Sequence, residues 1–161
     1  MWNKIFFAVL AAAIVVMSFF TFYAYSWLGS IGAPKDAAAG YDFYAGLSST
    51  ALVISTAVLL IIANVILWLS RRGWALWTTF GYFAFFIIVR FFWLEKASFD
   101  FRKATALTDG TYFFTAFIGA AIIIVGGAIV FFNQFFNLRL SEKMYPPKET
   151  DIEVIEEEPQ N

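Results

Sequence analysis

The sequence predicts an all-α membrane protein: an antiparallel four-helix transmembrane bundle with a short, disordered, acidic C-terminal tail. Three observations carry that expectation. The apolar runs 47–69 and 74–94 flank a basic turn of Ser70, Arg71, Arg72 and Gly73 that is too short to do more than reverse the chain. Two further runs of similar length, 5–28 and 111–134, lie on either side of this hairpin, and about 20 helical residues cross ~30 Å of hydrocarbon. The composition is 61% hydrophobic and 21% aromatic with only 14% charged residues, against about 25% charged in soluble domains.

The first run follows Asn3 and Lys4 and continues through Phe19, Phe20 and Phe22 to Trp27. A signal-peptide apolar region is only ~7–15 residues long, so the run reads as an uncleaved first helix. Tyr23, Tyr25 and Trp27 crowd its far end, as aromatic side chains do at a membrane interface. The stretch 29–45 reads as a polar connection, because Gly29, Gly32, Pro34 and Gly40 break helices and Lys35, Asp36 and Asp42 need water. Trp68 closes the second span, and Trp74 and Trp77 open the third, so these rings bracket the arginine turn at headgroup depth. The stretch 95–110 mixes Glu95, Lys96, Asp100, Arg102, Lys103 and Asp109 with Phe99 and Phe101. It reads as a second connection at the membrane surface, either a loop or a short interfacial helix.

The fourth span opens after Gly110, and Pro146 with Pro147 ends any helical continuation. The chain therefore divides into a membrane domain over 1–145 and a tail over 146–161. Six of the 12 acidic residues fall in the last 13 positions, a composition that resists folding. The tail is either a solvated terminus or a docking strand for a basic partner built on Ile152, Val154 and Ile155.

Four spans place both termini on one side. That side carries Lys4, Arg71, Arg72, Arg139, Lys143 and Lys148; the other carries Lys35, Lys96, Arg102 and Lys103, with Arg90 near the end of the third span. The bias places the termini and the Arg71–Arg72 turn in the cytoplasm of a bacterial-type inner membrane.

What the sequence lacks narrows its chemistry. It contains no cysteine and no histidine, which removes disulfides, thiolate metal sites, bis-histidine haem and a histidine general base. No Asp or Glu lies within the four runs, whereas proton-coupled carriers use carboxylates at mid-depth. No phosphate loop or nucleophile constellation appears, and nothing supports nucleic-acid binding. The expectation is no catalytic residue, no metal and no cofactor.

The candidate functional residues are few. Arg90 is the one charge inside a span; it either snorkels to the interface or serves an anion or ion-pair role with Glu95 or Asp109. Arg90, Asn64, Asn133 and Gln134 are candidate polar or lining groups. Asn64 and Asn133 fall at similar depth on helices running in the same direction, so Asn64 is expected to face the interior and bond the fourth helix near Asn133. The alternative is that Asn64 bonds its own helix. Ala8 and Ala12 on the first helix, and Ala116, Gly119, Ala120 and Gly126 on the fourth, are candidate close-packing seams, within the bundle or toward another subunit. Arg71, Arg72, Arg139 and Lys143 could contact anionic lipid headgroups. The expected partners are the lipid bilayer and other membrane subunits or a second copy. The function expected is a non-catalytic structural or accessory subunit of a membrane complex; a small channel or permease for a neutral or anionic solute comes second, and a membrane enzyme last.

Overall fold

The computed structural model describes residues 1–70, 72–107, 121, 123–129 and 131–136, and every segment of regular structure in them is helical. The helices are α1 (Trp2–Leu28), α2 (Pro34–Ser70), α3 (Trp74–Ile88), a π-helical turn (Val89–Leu94) and α4 (Glu95–Ala104). α3, the π-turn and α4 run on without a break, so Trp74–Ala104 forms a single 31-residue rod. With α1 (27 residues) and α2 (37 residues), this gives three helices long and apolar enough to cross a membrane. A further helical stretch is described at 123–129 and 131–136. The expected fourth span over 111–134 is thus described only in part, and the tail 146–161 lies outside the described residues.

Two stretches read as polar connections are helical. α2 begins at Pro34 rather than near residue 47. Proline is favoured in a helix's first turn because its missing N–H would have no partner there, and Asp36 in that turn suits the positive end of the dipole. Ala37, Ala38 and Ala39 then propagate the helix. Gly40 does not break it; the Trp27 indole lies where a Cβ at position 40 would stand. Past Leu94 there is no glycine or proline before Gly110, and the rod continues through Ala104. It ends in a Schellman motif: Leu107 N–H donates to Arg102 O at 2.9 Å and Ala106 N–H to Lys103 O at 3.4 Å. Ala106 takes the left-handed conformation, φ 57°, where glycine is usual.

At 1.5 Å per residue α2 is about 55 Å long and the α3–α4 rod about 46 Å, well beyond ~30 Å of hydrocarbon. Aromatic contacts stand near both ends of a span of that length. At the end holding the Arg72 turn, here called proximal, Trp74 packs on Phe6 (5.3 Å) and Phe7 (5.4 Å). At the distal end Tyr25 stacks on Trp93 at 5.0 Å. Trp74 and Trp93 are nineteen residues apart, ~28 Å of helix. The distal extensions of α2 and α4 lie beyond the Tyr25–Trp93 pair.

α1 and α2 form the longest seam. Buried positions recur every three, four or seven residues on both: Phe6, Ala13, Met17, Thr21 and Ala24 on α1, and Tyr41, Ala45, Ser48, Leu52, Thr56, Leu59, Ala63 and Ile66 on α2. This spacing keeps one face of each helix on its partner, and the small side chains let the backbones approach where lipid supplies no hydrophobic drive. α3 adds Leu76, Tyr82, Phe83 and Phe86 to the same core. The stretch at 123–136 leans on α3 through Phe131 with Phe80 (5.1 Å) and Phe135 with Trp77 (4.5 Å).

Candidate functional site

The polar chemistry of the described residues gathers at the distal end, around two arginines. Arg90 lies in the π-turn. Its Nη1 is ion-paired with Glu95 and donates to Tyr41 Oη at 3.3 Å, while Nε donates to Ser49 Oγ at 3.3 Å. The Phe91 ring sits 5.7 Å from the guanidinium carbon, within cation–π range. Arg102 lies one helical stretch further, on α4. Its Nη2 donates to Asp42 Oδ1 at 2.7 Å and its Nε to Ser98 Oγ at 3.4 Å. Tyr41 and Asp42 are neighbours on the extension of α2, so both arginines fasten the π-turn and α4 to that extension.

The π-turn explains the first pair. Residues five apart on an α-helix point about 140° away from each other, so Arg90 and Glu95 would not meet. π hydrogen bonds close five residues apart, and here the Glu95 N–H donates to Arg90 O. The same two residues are therefore bonded through backbone and side chains. The charges are well enclosed, with 11% of the Arg90 side chain and 19% of the Glu95 side chain exposed. An enclosed guanidinium near the membrane edge is expensive unless compensated, and a carboxylate, two hydroxyls and a ring surround this one. The second node is more open on one side: Arg102 is buried but Asp42 is 43% exposed. Tyr41 and Ser98 are fully buried.

Each of these two arginines faces a carboxylate among the described residues. Among the described residues no three of Asp, Glu, His or Cys gather where they could hold a metal ion.

The other expected site residues are placed as follows. Asn64 Nδ2 donates to Leu60 O at 2.8 Å, within its own helix, and Asn133 is exposed; the expected link from Asn64 to the fourth helix gives way to an i−4 backbone bond. Gln134 is half-buried, and its Oε1 has no hydrogen-bond partner among the described residues, as is true of Ser48 Oγ and Thr56 Oγ1. Ala8 and Ala12 are exposed, on a different side of α1 from Ala13 and Met17. Ala12 instead edges an apolar groove of about 360 Å³ with Val9, Val16, Ala51 and Ile54. Gly126 faces open space, whereas its neighbour Gly127 lies under the Phe83 ring. Arg72 is exposed at the turn. Arg71, Asp109, Ala116, Gly119, Ala120, Arg139 and Lys143 lie outside the described residues.

Sequence reasoning missed Tyr41, Asp42, Ser49, Ser98 and Arg102 as a group. One signal was available: Ser98 and Arg102 are four apart with no breaker between them, the spacing of one helix face. It went unused because the mixed-charge run 95–110 reads equally as a loop or a short interfacial helix, and only the helix brings the two residues onto one face. A Tyr82–Ser55 bond of 2.7 Å between α3 and α2 was also unanticipated.

Comparison with family models, with curated proteins and with solved structures returns no match. The class that the fold defines is a helical protein with three helices long and apolar enough to cross a membrane, and the functional reading rests on the chemistry of this chain alone.

Proposed function

We propose that the protein is a non-catalytic structural or accessory subunit of a membrane assembly. In this reading it is a four-helix, multi-pass protein of a bacterial-type inner membrane with both termini in the cytoplasm. One observation carries the reading: the arginines of the distal end make ties within the chain, while the small residues Ala8 and Ala12 of α1 are exposed and no described residue covers them. Groups that would bind or transform a solute are used for internal fastening. A face suited to close helix approach is left for a neighbour.

The test is native mass spectrometry of the tagged protein released from its own membrane in mild detergent. A defined species with fixed stoichiometry, lost on Ala8→Leu with Ala12→Leu, supports the subunit reading. A lone monomer that conducts solute in proteoliposomes replaces it with the channel or permease reading, to which the unpartnered Ser48, Thr56 and Gln134 oxygens would contribute.

The proposed orientation has a separate test. Cysteine at Lys103, an exposed position on α4, should react with an impermeant thiol reagent in intact cells, and cysteine at Ser70 should not. The reverse pattern would overturn the orientation. Lys103 is preferable to Ser98, which is fully buried against Arg102.

A further inference from the structure

The distal end holds a cavity that neither arginine node uses. It lies between the last turn of α1 and α4, encloses about 440 Å³, and is walled in part by Tyr25, Ser26, Gly29, Ala97, Asp100 and Phe101. Among the described residues that line it, Asp100 is the one that carries a charge. The ion pairs among the described residues use Glu95 and Asp42 rather than Asp100, so this exposed carboxylate is available to a ligand.

We propose that the cavity receives the ammonium group of a phosphatidylethanolamine headgroup. A single carboxylate with aromatic walls suits a monovalent organic cation. A divalent metal would require more oxygen donors, and the described residues offer no such cluster. Tyr25 and Phe101 are among the lining residues, aromatic rings attract a cation, and stacking of one face on Trp93 fixes the Tyr25 ring. The primary ammonium donates hydrogen bonds to Asp100. Lys96 and Lys103, at i−4 and i+3 from Asp100, share its helix face and are exposed; they are placed for the phosphate of the same headgroup. The carboxylate between two ammonium groups complements a zwitterion.

Depth selects a lipid over a free amine. The cavity starts at Tyr25, level with the aromatic ring pair, and Asp100 lies seven residues beyond Trp93, ~10 Å along the helix. The polar layers add only ~5–8 Å to each face of the hydrocarbon, so Asp100 stands at their outer edge, where the ammonium of an extended headgroup meets water. Below the cavity Tyr25 is 45% exposed, Trp93 50% and Phe22 67%, an aromatic wall along which the acyl chains can descend. The inference needs the membrane reading and stands apart from the subunit proposal.

The experiment is native mass spectrometry of the full chain, delipidated in detergent and titrated with phosphatidylethanolamine or phosphatidylglycerol of matched chains. The expected result is retention of the ethanolamine lipid roughly fivefold above the glycerol lipid, the scale of one or two exposed charged contacts. Asp100→Asn should erase the preference. Tyr25→Leu should reduce it and provides a second variant if the first folds poorly. Equal retention of the two lipids, or an unchanged preference in Asp100→Asn, would overturn the proposal. Displacement of the lipid by an equal concentration of soluble phosphoethanolamine would overturn the lipid assignment in favour of a free amine.

Discussion

The proximal two-thirds of the molecule and its distal end are held together by different forces. Between Phe6 and Ile87 the core is apolar and the seams follow helical spacing, with Leu52, Leu59, Leu76 and Phe86 interdigitated. At the distal end the apolar cluster shrinks to Ala24, Tyr41, Ala45 and Leu94, and two arginines do the fastening. The contrast follows from the solvent. Inside lipid, contact between helices depends on shape, and any side chain of suitable volume will serve. Past the aromatic rings polar groups pair with particular partners, and two helix ends, those of α2 and the α3–α4 rod, are joined by directional bonds.

Breaking the first arginine node should therefore produce the largest loss. Glu95→Ala leaves the enclosed Arg90 without its counter-ion, and removing one partner of a buried pair costs about 3 kcal/mol at the lower end of its range. The double variant Arg90→Met with Glu95→Leu should recover much of that, because no charge is left stranded. The midpoint of unfolding in mixed micelles measures both. A double variant as unstable as Glu95→Ala alone would show that the charges contribute more than mutual compensation. Glu95→Ala should also favour an ordinary α-helix over the π-turn. The removed residue offset would turn α4 by ~100° and part Arg102 from Asp42, visible as a changed spin-label distance between Lys103 and Lys35.

The same contrast decides what the sequence revealed. The runs 5–28, 47–69 and 74–94 were legible because hydropathy is additive along the chain and needs no knowledge of neighbours. The distal architecture was not. Gly40 looks like a helix breaker until Trp27 is known to lie against it. Arg90 and Glu95 sit at a spacing that no α-helix brings together, and a π-turn is too rare to expect. Arg102 and Asp42 are sixty residues apart, so their meeting depends on the fold itself. Arg90 was legible as an exceptional residue and Glu95 as one of two carboxylates near enough to answer it; Tyr41 and Ser49 were not.

Glycines sharpen the comparison at an intermediate scale. Gly40→Leu at the distal end and Gly127→Leu within the apolar region both drive a side chain into an aromatic ring, Trp27 and Phe83 respectively. Each should cost about 1–3 kcal/mol by overpacking. Gly46 and Gly126 have nothing within 4 Å of a built Cβ, so Gly46→Ala and Gly126→Ala should be neutral or stabilising by up to about 1 kcal/mol through helix propensity. If all four substitutions cost the same, close approach is not what these glycines supply.

A smaller effect, of opposite sign, belongs to the end of α4. Ala106 holds φ 57°, a conformation that costs an L-residue about 1–2 kcal/mol and glycine almost nothing. Glycine also gains freedom in the unfolded chain, so Ala106→Gly should stabilise by only about 0.5 kcal/mol. A measured loss would mean that the Ala106 methyl makes contacts worth more than the strain.

The smallest expected effect tests whether hydrogen bonds add anything to the apolar region. Ser55 and Tyr82 are 2.7 Å apart across the α2–α3 seam, whereas Asn64 bonds its own helix at 2.8 Å and Asn133 is exposed. Interhelical hydrogen bonds in membranes average about 0.6 kcal/mol, because the separated helices find other partners. A double-mutant cycle of Ser55→Ala and Tyr82→Phe should give a coupling of about that size. The cycle of Asn64→Leu and Asn133→Leu should give none beyond error. Asn64→Leu alone should be close to neutral, since the leucine loses one local bond but removes an amide from an apolar setting. A coupling above about 1 kcal/mol in the asparagine cycle would mean that the two amides do meet. A vanishing Ser55–Tyr82 term would leave shape alone as the basis of cohesion between α2 and α3, with directional bonding confined to the distal end.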